Sequence, residues 1–297
     1  MKKTRRKVPQ PRMINNCDGG FNVVRIGASN YRWRDPYHLL LTLCWYKTLG
    51  IISLGYILAN ALFAFAYILG GDGIENARPG NFFDAFFFSV QTMASIGYGA
   101  MYPKTLYANV LVTIEALLGL IGLAMATGLM FARFSLPKAR VMFSRVAVLA
   151  PYNGIPTLMF RVANERQNWI LEAQVKVSLV RSEITKEGDM LRRFYDMSLV
   201  RSQSPLFALT WTVMHPIDES SPLYGVTPEA IVEDDMEIVV TLTGLDETVT
   251  QTIHARHSYV GEEILWNMRF IDILSKTRDG RRSINYTRFH DVMPIGD

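Results

Sequence analysis

The sequence predicts a membrane protein built from two long apolar helices and a shorter apolar one between them, joined to a mainly β domain. Three observations predict it. Residues 39–134 carry only 8 of the 58 Asp, Glu, Lys and Arg, so this stretch suits hydrocarbon while the rest suits water. Two uncharged or nearly uncharged runs within it are long enough to cross a bilayer. After residue 138 apolar residues recur at every second position, the period of half-buried strands. This division excludes a wholly cytosolic enzyme and a disordered chain. The only two cysteines, Cys17 and Cys44, fall in different regions, which excludes a disulfide scaffold. The net charge of +4 is modest, and its cations cluster near the apolar region, which points to lipid headgroups and not to nucleic acid.

Residues 1–34 form a basic N-terminal segment. Asp35 to Tyr46 mixes Pro, His and aromatics with leucines, which suits either a short interfacial helix on the inner leaflet or the beginning of the first span. Thr48 to Leu69 is 22 residues without a charge, and at 1.5 Å per residue it crosses a ~30 Å hydrocarbon layer. Almost fifty residues precede it, which argues against a cleaved leader. The second span runs from Leu106 to about Ala132 with Glu115 as its only charge. Phe82 to Ala94 is apolar but too short to cross, and reads as a re-entrant helix sheltered by protein or water. Residues 1–47 hold ten Lys and Arg against two acids, and Arg133, Lys138, Arg140 and Arg145 follow the second span, so both ends are expected in the cytoplasm. Trp33, Trp45, Tyr46, Tyr102 and Tyr107 suit an aromatic belt. The pore region is expected over 47–137 and a cytoplasmic sandwich over 138–297. In the latter, Val175, Val177 and Leu179 alternate with Lys176 and Ser178, and Ile238, Val240 and Leu242 do the same. Turn signals at Tyr152-Asn153-Gly154, Glu187-Gly188-Asp189 and Asp279-Gly280 separate the runs.

Directly after the short helix comes Ser95-Ile96-Gly97-Tyr98-Gly99. A bare G-Y-G is a weak signal, but one that follows a half-crossing between two spans is strong. A permeating cation must lose its water, and a ring of backbone carbonyls can replace that shell. Aiming successive carbonyls at one axis requires alternating ordinary and left-handed backbone, which glycine adopts cheaply and which accounts for Gly97 and Gly99. Ser95 can add a hydroxyl at the inner mouth, and Tyr98 can point its ring back toward the aromatic-rich short helix. Each chain supplies one loop, so four chains are needed to close the ring.

SIGYG is similar to the potassium-channel filter T-[IV]-G-Y-G. FFFSVQTMASIGYG, TIEALLGLIGLAMATGLMFARFSLPKA and MHPIDESSPLYG resemble inward-rectifier potassium channels of the bacterial branch called KirBac, over roughly residues 31–290. The resemblance implies a homotetramer with an interfacial slide helix, an immunoglobulin-like cytoplasmic domain, K+ ions in the filter, no other cofactor, no catalytic residues and a place in the bacterial inner membrane. Two departures touch the filter. Ser95 replaces the usual Thr, keeping the hydroxyl but losing the β-branch, and Gln91 replaces the usual Glu behind the filter.

Gly119, Leu123, Thr127 and Phe131 recur every four residues and share a helical stripe expected to face the pore. The resemblance makes Gly119 a hinge and Phe131 a bulky residue at the helix bundle crossing, where four rings would form a dewetting gate; from the residues alone, Phe131 packs against a neighbouring helix just as well. Leu123 stands where strongly rectifying relatives place an acid. In the cytoplasmic pore Glu187 matches a family acid while Thr243 replaces another, so weak rectification is expected. Lys47, Arg133, Lys138 and Arg140 lie at inner-leaflet ends, where each could attract an anionic headgroup or simply snorkel. Cys44, Tyr46, Leu136 and Ala139 stand where eukaryotic relatives carry basic phosphoinositide ligands. Glu115 is costly in lipid and is expected to face protein behind the filter, near Gln91 or a pore-helix hydroxyl. Asp84 complements the dipole of the short helix. His254 and His257 would diverge on one strand and are not expected to share a metal. His215, Asp218 and Ser220 have the residue types of a hydrolase triad without a nucleophile elbow, and the resemblance places them in a loop that transmits state changes.

Overall fold

The computed structural model describes residues 12–16, 20, 22, 26, 35–276 and 279–296. Cys17, Trp33 and most of the N-terminal segment lie outside the described residues. The chain forms two compact units, one of residues 27–136 and one of residues 1–26 with 137–297.

The first unit is helical. α1 (Pro36–Thr42) starts where Asp35 accepts from the His38 N–H and Pro36 occupies the first turn, a position that needs no amide donor. It is shorter than the sequence suggests. Leu43 and Cys44 are extended, with ψ of 156° and 149°, so Trp45 and Tyr46 open the next helix instead. Among the described residues, α2 (Trp45–Leu69) and α4 (Leu106–Phe134) are the two helices long and apolar enough to cross a membrane. In α2 the buried residues are Thr48, Asn60, Ala64 and Tyr67, a narrow stripe at helical spacing that leaves the remaining apolar face outward. α3 (Phe82–Met93) is the half-length helix; Asn81 caps it by accepting from Phe83 N at 2.9 Å and Asp84 N at 3.2 Å. Asp84 in its first turn also pairs with Arg78 at 2.8 Å. β1 (Ile74–Glu75) and β2 (Tyr102–Pro103) pair on either side of the loop that carries α3, with Lys104 bridging Asp72 at 2.7 Å and Glu75 at 3.3 Å. This ladder pins both ends of the segment that carries α3 together.

The second unit is a β-sandwich. Its strands are β3 (Val141–Phe143), β4 (Ala147–Tyr152), β5 (Ile155–Asn164), β6 (Ile170–Ile184), β7 (Met190–Asp196), β8 (Gln203–Phe207), β9 (Thr210–Pro216), β10 (Glu237–Asp246), β11 (Gln251–Val260) and β12 (Ile264–Trp266). One sheet has the order β11-β10-β6-β7 with β8 also on β6, and the other β12-β4-β5-β3 with β9 also on β5. Val175, Val177 and Leu179 of β6 and Ile238, Val240 and Leu242 of β10 are buried against Leu158, Phe160, Val162 and Val213 of the facing sheet. The alternation read in the sequence is therefore the inward face of one sheet. Asn153 and Gly154, with φ of 52° and 83°, make the two-residue turn between β4 and β5 that an Asn-Gly pair favours.

Pairing of β10 with β6 slips between Thr243 and Leu245, where Glu172 on β6 takes φ 50°. Gly244 lies opposite the extra β6 residue, and a β-carbon there would stand 2.4 Å from Ile170 Cγ2 and 3.2 Å from the Leu171 carbonyl. Ile170 is itself buried and cannot retreat. Gly244→Ala is expected to destabilise the sandwich by ~1–3 kcal/mol through overpacking, read as a lowered melting temperature of the purified protein.

Residues 12–16 belong to this unit. The Glu237 carboxylate, 1% exposed, accepts from Met13 N at 2.9 Å and Ile14 N at 3.4 Å. Asn16 exchanges two hydrogen bonds with the Ser258 backbone, at 2.9 and 3.1 Å, and Arg12 pairs with Glu263 at 2.5 Å. Beneath this strap His257 stacks on Phe143, 4.9 Å between centroids at 5°. Burial, aided by the nearby Arg12, pushes the His257 imidazole down to about 3 from 6.5. Because the unfolded chain takes up a proton at this position below about 6.5 and the folded chain does so only near 3, stability present above 6.5 is lost as the pH falls through that window. The slope is roughly 1.4 kcal/mol per pH unit. His257→Phe is expected to flatten the acid limb of a plot of melting temperature against pH.

Candidate functional site

The segment after α3 is shaped by its backbone. Ile96 N donates to the Gln91 carbonyl at 2.8 Å and Ser95 N to the Thr92 carbonyl at 3.0 Å, so the chain leaves the helix tethered to its last turn. Ser95, Gly97 and Gly99 have φ of 55°, 55° and 79°, while Ile96 and Tyr98 between them are outside the left-handed region. Alternating hands on successive residues turn neighbouring carbonyls toward the same side, which a regular strand cannot do. Ser95 adopts the left-handed conformation without being glycine, at a cost of ~1–2 kcal/mol. Tyr98 is 75% exposed. None of the ring contacts among the described residues includes it, so on the single chain the ring does not stack on the aromatics of α3. The aromatics of α3 stack among themselves, Phe82 on Phe86 at 5.9 Å.

Behind this segment lies a buried polar cluster. Glu115 of α4 is fully buried and bonds the Ser89 hydroxyl of α3 and the Tyr67 hydroxyl of α2, the latter at 2.6 Å. Ser89 Oγ also lies 3.0 Å from Asn60 Oδ1, and Asn60 Nδ2 donates to the Tyr56 carbonyl at 2.8 Å. Of the two neighbours expected for Glu115, it is the pore-helix hydroxyl that the structure brings to it; Gln91 is tied to the loop through its backbone carbonyl. Asn60, Tyr67 and Ser89 were not singled out in the sequence. The available signal was Asn60, the one carboxamide in the first apolar span, since polar groups at membrane depth face protein and carry function.

The stripe on α4 diverges in its surroundings. Gly119 meets Met93: a β-carbon at 119 would stand 2.4 Å from the Met93 carbonyl oxygen. The helix runs unbroken through it from Leu106 to Phe134, so in this conformation Gly119 serves close approach of α4 to α3. Leu123, Thr127 and Phe131 are exposed on the single chain, and Thr127 Oγ1 donates back to the Leu123 carbonyl at 2.8 Å.

Among the four basic residues, Arg133 is already engaged. It donates to the Leu40 carbonyl at 3.1 Å, also bonds the Leu43 carbonyl and Thr48 Oγ1, and lies over the Trp45 ring at 4.7 Å. These carbonyls belong to the end of α1, where a cation also complements the helix dipole. Lys47, Lys138 and Arg140 are exposed, and the latter two line a groove of about 600 Å³ with Asn16, His254 and Arg256. Glu187 lies in the turn between β6 and β7, its N–H on Thr185 Oγ1 at 3.3 Å, and Thr243 contacts His254 at 3.4 Å.

His254 is exposed while His257 is half-buried on the opposite face of β11. His215 Nε2 takes Ser221 Oγ at 2.7 Å and its Nδ1 the Ser198 carbonyl at 2.6 Å, whereas Ser220 bonds Asp218 at 2.7 Å. The three residue types are thereby divided between two separate local networks, and burial holds the His215 imidazole below its usual value, hence neutral.

The family described as inward rectifier potassium channel C-terminal domain matches residues 141–296, and the family described as ion channel matches residues 43–135. The chain is 50% identical to the inward rectifier potassium channel Kirbac3.1 of Paramagnetospirillum magnetotacticum over 284 residues, covering 95% of this chain and 96% of that one. It is 33% identical to the G protein-activated inward rectifier potassium channel 1 of Bos taurus, over 91% of this chain and 58% of that one. With the ATP-sensitive inward rectifier potassium channel 12 of Gallus gallus it shares 30% identity, over 88% of this chain and 66% of that one. Two membrane-length helices flank a half-helix and a loop of alternating backbone hand, a β-sandwich follows, and the matches extend over both: the chain belongs to the KirBac-type inward rectifier potassium channels.

Proposed function

We propose that the chain conducts K+ passively across the bacterial inner membrane, with both termini in the cytoplasm, through a filter formed by Ser95, Ile96, Gly97, Tyr98 and Gly99 of four copies. The observation that carries this reading is the left-handed backbone at alternate positions 95, 97 and 99 directly after a capped half-helix. Carbonyls so aimed can stand in for the water of a dehydrated cation. The exposed flank of Tyr98 and the exposed faces of Leu123, Thr127 and Phe131 are then surfaces for neighbouring copies and for the ion path. Phe131 forms the gate at the bundle crossing, Gly119 allows the inner helix to move, and the sandwich with its Glu187 turn biases the gate. Leucine at 123 supports weak rectification. Lys47, Lys138 and Arg140 attract anionic headgroups, each contributing roughly 1 kcal/mol, while Arg133 acts on α1.

The test is Rb+ uptake into liposomes holding the purified full chain, with and without anionic lipid. Barium-sensitive uptake that strongly exceeds Na+ uptake is expected. Comparable Rb+ and Na+ fluxes would replace the selective filter with a poorly selective one, and silent vesicles under all lipid conditions would remove the conduction reading.

A further inference from the structure

The residue that ends the pore helix is held from both of the long helices. The Met93 sulfur accepts from Asn60 Nδ2 of α2 at 3.5 Å. Its carbonyl oxygen sits in the space that a β-carbon on Gly119 of α4 would occupy, 2.4 Å away, with Met93 Cγ 3.1 Å from the same point. The Asn60 side chain has no freedom of its own: it is fully buried, its nitrogen also donates to the Tyr56 carbonyl at 2.8 Å, and its oxygen lies 3.0 Å from Ser89 Oγ. One side chain thus bonds α3 at two places a turn apart, Ser89 and Met93.

Two residues beyond Met93, Ser95 holds φ 55°. A non-glycine residue persists there only when its surroundings over-determine it. Its amide is tied to the Thr92 carbonyl at 3.0 Å, in the last turn of α3. Whatever fixes that turn therefore fixes the hand of Ser95, and with it the direction of the innermost carbonyl. Gln91 lies in the same turn, and the Ser89, Glu115 and Asn60 cluster is the polar anchor around it.

We propose that Asn60 is a positioning residue for ion selectivity: by bonding Met93 and abutting Ser89 it sets the height and rotation of the end of the pore helix, and so keeps Ser95 strained and its carbonyl on the ion path. The proposal rests on the filter assignment above. Ion discrimination depends on the number and placement of coordinating oxygens, and a constellation loosened by about an ångström loses function while still being present. Without the Asn60 amide, Ser95 can relax to an ordinary φ, and the innermost site loses an oxygen while the other positions remain.

The experiment uses Asn60→Leu, which keeps the branched shape and the number of heavy atoms and removes the amide, in the full chain reconstituted in liposomes. The expected result is a tenfold or larger fall in Rb+ over Na+ discrimination and a similar weakening of barium inhibition, with the same elution volume in gel filtration as the parent. A purely structural role would lower the melting temperature or the total flux and leave the Rb+ to Na+ ratio and barium affinity unmoved; that result overturns the proposal. Met93→Leu, which removes only the sulfur acceptor, is expected to shift both readouts in the same direction by less. If Asn60→Leu does not assemble, Met93→Leu decides alone, and unchanged selectivity in it is equally fatal. Failure of the filter reading is distinguishable, since it would show as an unselective parent protein or as undiminished flux through Gly97→Ala.

Discussion

Gly97→Ala is expected to abolish barium-sensitive Rb+ uptake while leaving the assembled protein at the parent's elution volume in gel filtration. Gly97 has φ 55°, and, its two chain neighbours apart, no heavy atom of the described residues lies within 4 Å of the place its β-carbon would take. The penalty is consequently conformational and local, ~1–2 kcal/mol for an L-residue in that region. Four copies around one ring raise it to ~4–8 kcal/mol. Since 1.4 kcal/mol is a factor of ten, the conducting geometry should fall below roughly one part in a thousand. Assembly should survive because the core of the helical unit, Ala64, Tyr67, Ala85, Phe88 and Ala108 among others, does not include the loop. Parent-like flux through the variant would remove the filter from Ser95 to Gly99.

Leu123→Asp is expected to convert weak rectification into steep block by micromolar spermine from the cytoplasmic side. Leu123 is 67% exposed on α4, so an acid there is neither buried in the fold nor paired within the chain. Four such carboxylates would face a tetravalent amine. At ~1 kcal/mol per close charge pair even in a water-like pore, the gain is ~4 kcal/mol, or on the order of a thousandfold in affinity. Inside-out patches with graded spermine measure it. An unmoved block would mean that the stripe of Gly119, Leu123, Thr127 and Phe131 does not line the ion path; steep micromolar block in the parent would remove the weak-rectification reading.

How the site was legible differs from residue to residue. Gly97 and Gly99 were readable because a backbone requirement leaves a residue-type signature at the position itself. Glu115 was readable because a carboxylate in an apolar run has few tolerable surroundings. Asn60 was passed over because one carboxamide at the middle of a span carries no periodic signal. Arg133 differs again: in the sequence a cation at the end of a span suits a headgroup or snorkelling, and only the folded helices show its hydrogen bonds to the carbonyls of Leu40 and Leu43.

The sequence by itself determined the two spans, the half-length helix between them, the place of the loop, and the inward face of the sandwich strands. Each follows from local quantities: the length of an apolar run against hydrocarbon thickness, the helical and strand periods, and glycine's access to left-handed backbone. Only the tertiary structure decided which polar groups meet, because partner choice depends on how one element is rotated against another. Ser89 and Glu115 are 26 residues apart and Met13 and Glu237 are 224 apart, and no spacing in the chain encodes either pairing. The same holds for Gly119, whose missing β-carbon matters only because the Met93 carbonyl occupies that space.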